Sequence, residues 1–415
     1  MGQTIIEKII TNHLIDEVDV NPGEIVWIKL DVRTARDFGG PNVVKNIERE
    51  YPGEDLPDKE NILFTFDTVA PAKTIPYANN QMICRNFAKE HNIKVYDVNA
   101  GIGTHILIEQ GIAEPNKTIV GTDSHFNILG AVGAFGQGMG DQDIAFAFKT
   151  GKIWFEVPET IKINIEGELK YPLTAKDIAL FMLKKLGSKG ALGKCIEYYG
   201  KTIQGLDLAG RITLSSMMTE LGGIVAFQEA SENVVNEISK RTGKKVQFIT
   251  ADDDAVYCQE LSYDISGIEP QIACPPNPAN VKNISELEGK EIHSVFIGSC
   301  TNGRYEDMKA VADILKNKKV ADGVMLRIVP ATKEVYGQML YTGILNILFN
   351  AGAIISNPGC GGCASGQIGM TGKGEVQIST SNRNFRGKQG DGDTYLASPV
   401  VAATAALYGK ITKPL

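Results

Sequence analysis

Apolar residues along this chain come in short runs, each ending in a polar segment that usually carries glycine. NILFTFD (61–67), KTIVGTDSH (117–125), SVFIGSCTN (294–302), LRIVPAT (326–332) and GAIISNPGC (352–360) share this form, and each predicts a strand running into a loop. Between such runs, apolar residues at helical spacing predict helices over Asn80–His91, Ser231–Thr242 and Tyr305–Lys318. Strands alternating with helices are the α/β signature. Polar residues suited to chemistry collect where the strands end, and that edge of an open α/β sheet is where ligands bind.

Two stretches change character. Residues 157–177 pass from a glycine-rich region to an alternating strand and then a helix start, and residues 274–294 are rich in proline and asparagine. At 415 residues the chain exceeds what one hydrophobic core organises. The expected division is therefore 1–160, 161–285 and 286–415. No internal repeat and no low-complexity tract interrupts it.

Composition narrows the class. A 43% hydrophobic share with 22% charged residues is that of a soluble globular protein. The net charge of −7 argues against nucleic acid as a partner, so an anionic substrate needs a locally basic pocket. No apolar run approaches the roughly 18 residues of a membrane helix. Glu7 and Lys8 break what a signal peptide needs, and Ile6 stands where a myristoylation motif has Ser or Thr. The expected location is the cytoplasm.

Seven cysteines, an odd number in a chain without an export signal, point to reduced thiols rather than disulfides. Cys84, Cys195 and Cys258 lie among apolar or helical residues and Cys274 in a proline-punctuated loop; all four read as buried packing residues. The other three differ. Cys360-Gly361-Gly362-Cys363 lets two thiolates serve one metal centre, and Cys300, in Gly298-Ser299-Cys300-Thr301-Asn302-Gly303, adds a third at a strand end. Three protein ligands leave a position open. Catalytic zinc normally recruits His or carboxylate, whereas all-thiolate ligation suits an iron–sulfur cluster, and spacing alone leaves both open. GAFGQGMGD (133–141) lacks the Lys-Ser/Thr of a P-loop and the G-x-G-x-x-G spacing, so its glycines read as packing and turn residues.

GTDSH (121–125), the glycine-rich stretch after it, GSCTNGR (298–304), the Cys360/Cys363 pair and STSNRNFRGKQG together resemble the aconitase superfamily. The resemblance spans the whole chain and is strongest to large subunits of the isopropylmalate dehydratase and homoaconitase type. It implies a three-subdomain α/β/α body around a central cleft, with a [4Fe–4S] cluster on Cys300, Cys360 and Cys363 and one iron free of protein ligands. Single-chain members continue beyond the position of Leu415 into a swivelling domain. The resemblance thus implies a separate small subunit that supplies a serine base and specificity residues.

By the same resemblance His105, Asp123, Ser124 and His125 match active-site positions. Glu220 matches a glutamate that pairs with the equivalent of His105, and Asp67 the aspartate of an Asp–His pair. Arg383 matches an arginine that holds a substrate carboxylate, for which a planar guanidinium fork is suited, and Asn382 a residue beside the cluster. Departures are equally clear. Thr68 stands where the family has the histidine that assists hydroxyl departure, Arg36 where it has histidine or glutamine, Ser216 where it often has asparagine, and Lys388 where it has arginine. Gly362 and Ala364 also alter the loop around the cysteine pair. Arg36 cannot donate a proton near neutrality, so its expected role is to hold a relocated carboxylate.

The implied activity is hydration and dehydration of a small hydroxy di- or tricarboxylic acid through an enoic acid. The 3-isopropylmalate or homoaconitate type leads, as in leucine biosynthesis, and a methylmalate or dimethylmalate is the alternative. A non-catalytic iron or oxygen sensor that binds RNA is the reading from another class. The acidic charge and the lack of a basic, aromatic-rich segment oppose it.

Overall fold

A computed structural model describes residues 2–364 and 366–414. Four sheets form among the described residues; three, each largely or wholly parallel, carry the bodies of the chain, and the fourth is the antiparallel pair Ile25–Lys29 and Lys152–Glu156. The first orders its strands Lys94–Tyr96, Ile62–Thr65, Val32–Arg36, Thr118–Gly121 and Phe135–Gly138, all parallel. The second is four-stranded and parallel: Ala226–Gln228, Cys195–Tyr199, Thr160–Glu166 and Gln259–Asp264. The third has seven strands, with Asp393–Leu396, Val376–Ser379, Ser294–Ile297, Met325–Ile328 and Ile354–Ile355 parallel. Strands Ile62–Thr65, Thr118–Gly121 and Ser294–Ile297 are buried at every position, the reason their sequences run apolar without alternation.

Local chemistry sets the helix ends. The helix expected from Asn80 starts five residues earlier, at Ile75. Thr74 caps it onto the Tyr77 N–H at 3.4 Å, Pro76 lies in its first turn, and Asn92 ends it in the left-handed region at φ 56°. The helices Glu232–Thr242 and Tyr305–Leu315 fall where periodicity put them, the latter one turn shorter than expected. The stretch expected to end the middle subdomain divides differently. Gln271–Ala273 and Val281–Asn283 pair with each other, and the former with Asp393–Leu396, so both belong to the third sheet.

The bodies are joined by specific bonds. The Ile102 N–H donates to Ala331 O at 2.8 Å, and Arg304 and Thr332 both bond the buried Glu109 carboxylate at 2.8 Å. The 3-10 helix Phe126–Val132 of the first body packs on the helix Leu208–Ser216 of the second. In this docked arrangement the carboxyl ends of strands from the first and third sheets meet. Arg36, Asp67 and Asp123 stand at the ends of three neighbouring strands of one sheet, and Cys300 and Asn382 beyond the ends of two adjacent strands of the other. Among the described residues no helix is long and apolar enough to cross a membrane.

Candidate active site

The thiol side is built from turns. After Ser294–Ile297 the chain reverses through Gly298 at φ 149° and Ser299 at φ 75°, where a Cβ on Gly298 would lie 2.5 Å from the Val329 carbonyl. Ser299 accepts a backbone conformation unfavourable for a side chain, and its hydroxyl bonds that of Thr301 at 2.9 Å. Cys300 then points at the Asn382 amide, with Sγ 3.3 Å from Oδ1, while the Ser216 hydroxyl lies 3.6 Å away. Asn382 is itself pinned to Ser216, donating to its Oγ at 2.8 Å and its carbonyl at 3.2 Å.

The cysteine pair hangs on the first body, because the Cys360 N–H donates to Asp67 O at 2.9 Å and the Asn357 amide to Val98 O at 2.8 Å. Cys363 packs between Phe296 and Val329. Cys300 lies within electrostatic reach of both other thiols. Burial pushes the Cys300 and Cys360 thiols above their ordinary range, so they stay protonated until a metal displaces the proton. Among the described residues no three His, Cys, Asp or Glu groups converge on one ion position. In a four-iron cluster each thiolate holds a different iron, so these three thiols, soft and supplied by two Gly-turn loops, fit that group better than a single zinc ion.

The facing side is built from charges. Arg36 Nη1 lies 2.9 Å from Asp123 Oδ1, and Nη2 lies 2.8 Å from Asp67 Oδ1 and 3.0 Å from Cys360 Sγ. Asp67 also accepts the Gly103 N–H at 2.8 Å and the Thr68 hydroxyl at 3.3 Å. Asp37 accepts the Thr68 and Val69 N–H groups at 3.0 and 3.3 Å and shapes the turn. The two aspartates on this guanidinium are driven apart. Burial raises Asp67 despite Arg36, with Asp37 and Asp123 adding to the rise. At Asp123 burial is outweighed by Arg36 and His125, and the carboxyl is held below the ordinary value. Two neighbouring carboxylates whose proton affinities are driven apart in this way are the arrangement expected of acid–base machinery.

Glu220 joins this wall from the second body. Its Oε1 lies 2.9 Å from Arg383 Nε and 3.4 Å from His125 Nε2, and its other oxygen is buried without a partner among the described residues. Burial would raise Glu220, but His125 and Arg383 outweigh it and lower it. His125 Nδ1 lies 3.3 Å from the Ser124 hydroxyl and 3.9 Å from Asp123, so the ring stands between two carboxylates. Arg383 is bonded through Nε alone among the described residues, leaving its two Nη groups for a ligand carboxylate.

Several expectations change here. Glu220 pairs with His125, not His105, because the 3-10 helix Met217–Leu221 lies on the 123–127 segment, where the Thr219 hydroxyl donates to Ser124 O at 3.0 Å. His105 lies fully buried behind the thiol loop with Nε2 2.9 Å from Cys300 O and Nδ1 unpartnered among the described residues. Burial, reinforced by Arg304, lowers it to about 3, so it is neutral and supports the Cys300 loop. Arg36 was expected to hold a substrate carboxylate, but the protein's own Asp67 and Asp123 occupy its fork. Lys388 is half-buried in a turn where its N–H donates to Phe385 O, with no bond to the other site residues. Cys258 is exposed rather than buried, whereas Cys84, Cys195 and Cys274 are buried as expected. Of the glycines at 133–141, Gly138 packs beneath the site, where a Cβ would collide with Asp123 O, and Gly136 packs against the Phe126 carbonyl and Leu129.

Sequence reasoning missed Lys176. The side chain is fully buried behind the Asn382 strand end, and a cation in the first turn of a helix, against the macrodipole, was the available signal.

A family model described as the aconitase family (aconitate hydratase) matches residues 7–291 and 280–409. A Methanothermobacter thermautotrophicus protein named "Probable 3-isopropylmalate dehydratase large subunit" is 42% identical over 100% of this chain and 99% of its own length. A second protein from that organism, named "Probable methanogen homoaconitase large subunit", is 38% identical over 95% of this chain and 94% of its own. The crystal structure of Thermococcus kodakaraensis aconitase X in its holo form superposes with a TM-score of 0.53 at 12% identity, covering 85% of this chain and 84% of that one. That last likeness bears on the fold alone.

Proposed function

The chain belongs to the aconitase family, whose members named here include hydro-lyase large subunits, and from that premise we propose that it is the iron–sulfur large subunit of a hydro-lyase. The substrate class is a small hydroxy di- or tricarboxylic acid, dehydrated and rehydrated through an enoic acid, with the 3-isopropylmalate or homoaconitate type leading. Cys300, Cys360 and Cys363 would hold a [4Fe–4S] cluster, which when bound supplies Lewis-acid activation of the substrate's hydroxyl at an iron free of protein ligands.

The chain's own residues do the rest. The free Nη pair of Arg383 binds a substrate carboxylate, aimed by the Glu220 contact on its Nε. His125, between Glu220 and the Asp123–Ser124 turn, holds or passes the proton of the departing or entering water. Asp67 takes no histidine partner; its buried carboxyl is steadied by Arg36 and the Gly103 N–H. The carbon-bound proton is left to a base on a separate small subunit, the partner that the relatives' designation as large subunits supports.

What supports this reading is that Cys300 lies within electrostatic reach of the Cys360 and Cys363 thiols, opposite an acid–base array and a half-free guanidinium. Arg36, committed to Asp67 and Asp123, is not free to hold a further carboxylate, so of the two leading types the dicarboxylic 3-isopropylmalate is favoured over the tricarboxylic homoaconitate. We expect anaerobically reconstituted chain, mixed with its small subunit, to produce enoate absorbance from isopropylmalate, a methylmalate or a dimethylmalate, and less from homocitrate. Full cluster content with no turnover on any of these acids would sink the reading.

A further inference from the structure

Lys176 lies in the first turn of the helix Ala175–Leu186, where Thr174 and Asp177 form the cap and a cation opposes the helix dipole. Nothing local calls for a lysine there. Its side chain is fully buried, and the ammonium bonds Ser381 O at 2.8 Å, Thr380 O at 3.0 Å and Met217 Sδ at 3.5 Å. Three acceptors match the three N–H donors of a charged lysine.

What those acceptors belong to is the informative part. Thr380 O also accepts the Thr301 hydroxyl at 3.0 Å, next to Cys300, and the same hydroxyl lies 3.1 Å from Asn382 Oδ1. Asn382 contacts Cys300 Sγ, and Arg383 follows it. Met217 follows Ser216, which touches both Cys300 Sγ and Asn382. The ammonium therefore sits directly behind the Cys300–Asn382–Ser216 triangle. Burial lowers Lys176 to about 8, against the opposing pull of Glu220 and Cys300, with Cys363 also in reach. Three thiolates bring three negative charges into this wall, and such charges need a nearby cation.

We propose that Lys176 is a positioning residue for this site, fixing the strand end that presents Asn382 and Arg383 and acting as the buried countercharge of the thiolate-held centre. The inference rests on the reading of Cys300, Cys360 and Cys363 as cluster ligands. Net charge around an iron–sulfur centre sets its potential, so removing this cation makes reduction harder.

The test is an EPR-monitored redox titration of the reconstituted chain with Lys176→Met and Lys176→Arg, alongside thermal unfolding of each. Lys176→Met shifts the reduction equilibrium at least about tenfold against the reduced form, 59 mV for a one-electron couple. Lys176→Arg stays near the wild-type potential. A folded, cluster-bearing Lys176→Met protein at the wild-type potential overturns the proposal, as does Lys176→Arg shifting as far as Lys176→Met. Should Lys176→Met fail to fold, Lys176→Gln, which keeps an N–H for Ser381 O, is read by the same criterion. A wild-type chain that takes up no cluster sinks the underlying assignment of the cysteines instead.

Discussion

The two sides of the cleft are made from different chemistry. The thiol side is held by backbone turns and neutral bonds: Gly298, Ser299, the Asn382 amide and the Ser216 and Thr301 hydroxyls, with a buried cation, Lys176, kept behind it. The facing side is held by charge, with Arg36 between Asp67 and Asp123, and Glu220 between His125 and Arg383. A wall that is to receive metal must leave its sulfurs free of competing strong partners, and weak neutral bonds do that. A wall that is to move protons and hold an anionic substrate must keep charged groups buried without losing them, which only close ion pairing achieves. Arg36 joins the two, since one of its N–H groups reaches Cys360 Sγ.

The sharpest way to break this contrast is Cys363→Ala. It should abolish nearly all cluster binding and turnover, read as iron content and visible absorbance after anaerobic reconstitution. Retention of a full cluster would mean the thiol side is not a metal wall. Next in size is Arg36→Leu, which leaves two buried carboxylates without their shared cation. We expect a loss of about 3–5 kcal/mol in urea unfolding, partly regained in Arg36→Leu/Asp67→Asn. A loss below about 1 kcal/mol would show that charge pairing is not what holds that side.

Glu220→Gln keeps the shape but removes the charge that aims Arg383 and His125. Steady-state kinetics with the small subunit should show kcat/KM lower by roughly 10²-fold, the scale of a disturbed acid–base group. Unchanged kinetics would separate Glu220 from the chemistry. The smallest effect belongs to Thr68→Val, which removes one 3.3 Å bond to Asp67 and should cost about 1 kcal/mol or less in the same unfolding assay. A large loss of turnover there would restore a catalytic role to Thr68.

How much of this was legible in advance depended on distance along the chain. Ile62–Thr65, Thr118–Gly121 and Ser294–Ile297 were visible as apolar runs, and the residues after them were visible as chemistry, because a strand and its following turn lie within a few positions of each other. Cys300, Cys360 and Cys363 stood out for the same reason, each lying in a glycine-flanked loop a few positions beyond a strand. The Glu220–His125 pair was not, since 95 positions separate the two residues and resemblance pointed to His105 instead. Nor was the commitment of Arg36, whose contact with Cys360 spans 324 positions. Cys258 misled because the apolar residues around it in sequence do not shield it: it is exposed, and so is Val256 beside it.

Sequence by itself determined where strands turn into loops and which loops carry sulfur, guanidinium or carboxylate, for these follow from steric and solvation rules acting over a few residues. Only the tertiary structure decided which carboxylate meets which cation, which histidine is sealed away, and that a lysine lies behind the thiols. Those outcomes depend on how the three bodies dock, and a charge buried by docking takes whatever partner the facing surface brings within about 4 Å.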